Sequence, residues 1–144
     1  MNTVNLSNKF ILNLQMENKS SKEIQTTALL NSLEQIIKKR VDICHSINIY
    51  DKNVVGRHYN NTLKLINEAI PLLALLSKLT GFYDIRYQTI SDKVAYTINV
   101  CSCRYFNFSD DNDVYKNGLN LLEYANAIAH SKYVKDLCEC NLNI

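Results

Sequence analysis

Apolar residues recur along most of the chain at helical steps. Ile24, Ala28, Leu33, Ile37, Val41 and Cys44 follow one another at three to five residues, which predicts a helix ending near residue 47. Ser20 and Glu23 sit just ahead of that run with the spacing of a capping box, so they predict its start. A polar stretch from Asn48 to Gly56 follows. Leu63, Ile66, Ile70, Leu73 and Leu76 then mark a second helix over about 57–80, with Gly81 where a C′ glycine belongs. Pro71 lies inside it and cannot donate to residue 67, which predicts a kink or break near Asn67. Tyr87, Ile90, Val94, Ile98, Cys101 and Tyr105 define a third helix, with Asp84 as its N-cap. After the polar run 107–112, a fourth helix opens near Asp113 and turns Val114, Gly118, Leu121, Leu122, Ala125 and Ile128 toward a partner. A short fifth helix from Ser131 carries Val134, Leu137 and Cys138.

Three Gly and one Pro in 144 residues leave few turns to build with. The expected fold is therefore all-α, a bundle of four to five helices, with room for TPR-like helix hairpins. Residues 1–18 are Asn-rich and show no clean period, so they are set apart as an N-terminal arm that can be a helix, an edge strand or an extended segment. Residues 19–144 form one helical domain.

Charge narrows the function classes only slightly. Residues 1–65 hold nine Lys/Arg against five Asp/Glu, and residues 66–144 hold seven against nine. The net charge of +2 falls far short of the basic stripe of a nucleic-acid binder, so nucleic acid is not an expected partner. No apolar run is long enough for a membrane span or a signal peptide, which gives a cytoplasmic expectation and reads the five cysteines as free thiols. The Lys, Asn and Ile content suits a phage or mobile-element protein.

The chemistry-bearing residues are scattered. Cys101-Ser102-Cys103 and Cys138-Glu139-Cys140 are C-x-C pairs, but residues two apart on a helix point about 200° apart and cannot share a metal. No metal or cofactor is expected; Cys44, His45, Cys101 and Cys138 are the set that would serve as ligands were one bound. Lys38-Lys39-Arg40 is the one basic cluster, read chiefly as a solvated helix face, with Lys38 and Lys39 as candidate contact residues. Tyr87, Tyr96 and Tyr105 are nine apart, two and a half turns, so Tyr87 and Tyr105 can share a core face while Tyr96 points away. Tyr96 and Tyr133 are the candidate partner-binding rings, since tyrosine is enriched at interface hot spots.

Two resemblances bear on function. Gly118-Leu119-Asn120-Leu121-Leu122-Glu123-Tyr124-Ala125 is similar to the second helix of a tetratricopeptide unit, with Gly118, Leu122 and Ala125 at the packing positions. The stretch from Tyr87 through Asp136 likewise resembles a helical segment of uncharacterised bacterial proteins, some linked to J-domains. The latter implies a helical interaction module without catalytic residues. Arg40-Val41-Asp42-Ile43-Cys44-His45 resembles the R-x4-H motif of HEPN ribonucleases, helical proteins that act as dimers. That resemblance implies Arg40 on a phosphate and His45 moving a proton. The plainer reading of the motif is a surface Arg followed by a partly buried His. The main expectation is a small protein-binding module or inhibitor, able to self-associate and acting by surface complementarity. The alternative is a HEPN-type nuclease or its inactive relative.

Overall fold

The computed structural model describes residues 3–47, 51, 55–106 and 112–143. Within them the chain forms five α-helices and no strand: α1 (Thr3–Ser46), α2 (Val55–Thr80), α3 (Ile85–Phe106), α4 (Asn112–Ile128) and α5 (Lys132–Leu142). The all-α bundle expected from the periodicity is the fold. The polar connection at 107–112 lies outside the described residues apart from Asn112, which opens α4.

α1 departs from expectation in two ways. It is continuous from Thr3, so Ser20 and Glu23 sit in a helix interior and cap nothing. Interior amides are already bonded to carbonyls four residues back and leave a cap no orphan donor to satisfy. Glu23 instead reaches Arg86 of α3 at 3.0 Å. The buried face is also rotated. Ile24 is 68% exposed and Ala28 is exposed, whereas Leu33, Ile37 and Cys44 are buried and Leu29, Leu30 and Ile36 pack against them. Leu33 lies nine residues beyond Ile24, so the two are on opposite sides of the cylinder. Every described side chain from Lys9 to Gln25 is exposed, and Thr26 is the first buried one. At 1.5 Å per residue α1 spans about 66 Å against about 39 Å for α2.

α2 continues through Asn67 and Pro71, so of the expected kink or break the break does not occur. Both residues are exposed, so water can take the carbonyl that Pro71 leaves without a donor. Gly81 ends the helix as expected. Its φ of 93° suits a residue without Cβ, and its N–H donates to Ser77 O at 2.8 Å.

Asp84 caps α3. Its Oδ1 accepts from the Arg86 amide at 2.8 Å, and the Arg86 guanidinium closes on the same carboxylate at 2.9 and 3.1 Å. The Arg86 side chain, helped by backbone N–H groups, holds the Asp84 carboxyl down at about 2. An acid held below its unfolded value of 3.8 contributes stability above that value and loses it as pH falls toward 2. Thermal unfolding followed from pH 5 to pH 2 is therefore expected to fall more steeply in the wild type than in Asp84→Asn, which keeps a capping oxygen but cannot titrate. Equal slopes would show that the carboxylate adds nothing beyond the cap.

α3 is the centre of the bundle and touches all four other helices. Cross-helix pairs fix the directions. Glu23–Arg86, Glu34–Lys93 and the Cys44 carbonyl–Arg104 contact run in step, so α1 and α3 are parallel. Tyr59 stacks on Tyr105, start against end, so α2 is antiparallel to α3. Ser91 Oγ donates to the Ile128 carbonyl, which makes α4 antiparallel as well, while Asn99–Asn141 sets α5 parallel. Tyr87, Ile90, Val94, Ile98, Cys101 and Tyr105 are all buried, as their spacing predicts. Ser91, Ala95 and Ser102 are buried too, and these small residues let neighbouring helices approach α3 on its other sides. The buried hydroxyls are satisfied locally, Thr97 on the Lys93 carbonyl and Ser102 on that of Ile98. Among the described residues no helix is long and apolar enough to cross a membrane.

Candidate functional site

Tyr96 and Tyr133 are 37 residues apart in sequence and meet at one open groove of about 480 Å³. Thr89, Asp92, Lys93, Tyr96 and Thr97 form its floor along one face of α3. Ile37 closes it from α1, and Tyr133 and Val134 from the first turn of α5. The rings are 44% and 69% exposed, so their faces are available.

Two caps place Tyr133 there. Ser131 Oγ accepts from the Val134 amide at 3.3 Å and starts α5. Asp92 reaches from the middle of α3 and accepts the backbone N–H groups of His130 at 2.6 Å and Ser131 at 3.1 and 3.2 Å. One carboxylate thus holds the whole α4–α5 turn against α3. The same bonds occupy the one acid in the groove. The one base, Lys93, is paired with Glu34 of α1. The lining charges are already matched within the chain, and the open surface is largely apolar. Such a groove suits a neutral, apolar side chain rather than a charged ligand.

Lys38 and Lys39 are exposed on α1 but do not line this groove. The structure therefore separates the two tyrosines from the two lysines proposed alongside them.

Arg40 and His45 take up the reverse of the burial read from the sequence. Arg40 is 4% exposed and forms an ion pair with Glu68 of α2. Its carbonyl accepts from Asn61 Nδ2 at 2.9 Å. His45 is exposed. Five residues on a helix turn about 140°, so the two side chains leave α1 in different directions and do not converge. Arg40 borders an open pocket of about 360 Å³ with Arg57 and Lys64, and His45 is absent from that lining. The guanidinium that a phosphate would need is held by Glu68.

The cysteines divide by burial. Cys44, Cys101 and Cys138 are buried, Cys103 is half-buried and Cys140 is exposed. Of the four residues named as a metal set, Cys44 and Cys101 come together, while His45 faces outward and Cys138 lies by Asn99 on α3. Among the described residues no three His, Cys, Asp or Glu side chains are arranged to hold a metal ion. The imidazole beside Cys44 is instead His58, buried on α2 with Nδ1 3.8 Å from the sulfur. His130 packs its ring against Phe82 and Tyr87, and burial lowers its pKa.

No family model matches the chain, and neither a curated protein nor a solved structure is found that matches it.

Proposed function

We propose that this protein acts by binding another protein, and that the groove between α1, α3 and α5 is its contact surface. The observation that carries this reading is the meeting of Tyr96 and Tyr133 on an apolar groove whose lining charges are already paired. Tyrosine offers a large, rigid contact area at low entropic cost, and its hydroxyl keeps the surface wettable when the partner is absent. The ligand chemistry that fits is a peptide segment, helical or extended, presenting an apolar or aromatic anchor and no net charge at the contact. A protein that works in this way serves as a binding module or an inhibitor.

A random peptide library selected against the folded chain tests the reading without a known partner. Selected peptides are expected to share a Leu, Ile, Phe or Trp anchor. Tyr96→Ala or Tyr133→Ala is expected to weaken their binding roughly 5- to 30-fold, the equivalent of about 1–2 kcal/mol, while helical content stays unchanged. His45→Ala is expected to have no effect. Peptides bound equally well by the Tyr96→Ala/Tyr133→Ala double variant would remove the groove from the account. An RNA-cleaving activity lost in folded His45→Ala would replace binding by nuclease chemistry.

A further inference from the structure

Cys44, His58 and Cys101 form a closed cluster that the groove does not use. Each is 2% exposed, and they come from three different helices, α1, α2 and α3. His58 Nδ1 is 3.8 Å from Cys44 Sγ, and the Cys101 side chain interacts with the same sulfur. Arg104 Nη1 lies on the Cys44 carbonyl at 3.2 Å, which brings its positive charge to the same corner. His58 Nε2 is buried without a partner. A buried ring nitrogen left unpaired is costly, and such groups in native structures call for an explanation. We propose that Cys44 and Cys101 are a peroxide-reactive thiol pair that closes to a disulfide joining α1 to α3.

The chemistry needs one hydroperoxide. The Cys44 thiolate attacks the peroxide oxygen, the O–O bond breaks, and Cys44 becomes a sulfenic acid with hydroxide or alkoxide leaving. Cys101 then attacks the Cys44 sulfur and the S–OH bond breaks. The released hydroxide takes up the Cys101 proton as water. Two thiols and one peroxide thus give one disulfide and two molecules of water, or one of water and one of alcohol. The local groups favour this order. The interaction with Cys101, then the imidazole of His58 and the charge of Arg104, outweigh burial and lower the pKa of the Cys44 thiol. Cys101 is pushed up by the neighbouring Cys44 sulfur and by burial, so it stays the protonated resolving partner. A hydroperoxide such as hydrogen peroxide is small and uncharged, which a nearly sealed site requires. The bond would close a loop of more than fifty residues and pin the C-terminal end of α1 to the central helix.

The test treats the native full-length chain with hydrogen peroxide at pH 7, alkylates remaining thiols and maps peptides by mass spectrometry. The expected product has lost two hydrogens and contains a Cys44–Cys101 linked peptide that dithiothreitol separates. Cys101→Ser is expected to stop at a sulfenic acid on residue 44, trapped by a 1,3-dione. His58→Gln is expected to slow the reaction roughly tenfold, because less of Cys44 is ionised. The Cys140→Ser control is expected to react at the wild-type rate. Oxidation confined to the exposed Cys140, or a Cys44 that stays alkylatable after unfolding the treated protein, would overturn the proposal. Since the mapping is made on the wild type, it holds even if a variant fails to fold.

Discussion

Ile98→Ala is expected to lower the unfolding free energy by about 2–4 kcal/mol, read as a lower urea midpoint at unchanged m-value. Ile98 is fully buried in the middle of α3, in one cluster with Ile90, Val94, Leu121 and Ala125. Truncating it removes three carbons from a site surrounded by helices. Because α3 is held on several sides, the neighbours cannot collapse onto the space, so a cavity term adds to the lost transfer energy. A loss below about 1 kcal/mol would mean that α3 is rotated from the orientation described here.

Asp92→Ala is expected to cost about 2–3 kcal/mol, through a different mechanism. Its carboxylate is the acceptor for the His130 and Ser131 amides. Hydrogen bonds to a charged acceptor are worth more than neutral ones, and the freed N–H groups lose their partner inside a tight turn. The loss should be local. Amide exchange is expected to accelerate across α5 while the α2–α3 core keeps its protection. Asp92→Asn retains an oxygen and should cost less. Unchanged exchange in α5 after Asp92→Ala would show that apolar packing of Val134 and Cys138 alone holds that helix.

These two residues also mark what was legible in the sequence. Ile98 belongs to a 3-4 repeat along α3 that local periodicity exposes without ambiguity, and the six residues of that repeat are all buried. Tyr96 is legible from the same repeat, because nine residues reverse the direction of a helical side chain. Asp92 carries no comparable signal. Its partners lie 38 and 39 residues away, and only the antiparallel return of α4 brings them near. Arg40 shows the opposite failure. Next to Lys38 and Lys39 it reads as part of a charged surface, yet helical rotation turns it inward, where Glu68 receives it. The pattern of charges along a helix does not say which charge finds a buried counter-ion on the next one. His58 carries no sequence signal for the same reason, since its partner Cys44 lies on a different helix. In the interior of α1, the Ser20–Glu23 spacing satisfies a capping rule in a place where the helix has already begun.

Photocrosslinking in the native host cell tests whether the Tyr96–Tyr133 groove takes a partner protein. Benzoylphenylalanine is placed at position 96 or 133, and at Tyr124 of α4 as a control, which is similarly exposed but lies outside the groove. One discrete protein adduct is expected, the same from positions 96 and 133, absent from position 124 and lost when Thr89, exposed on the groove floor, is changed to Arg. Adducts of equal yield from position 124, or crosslinks from 96 and 133 to RNA rather than protein, would contradict it.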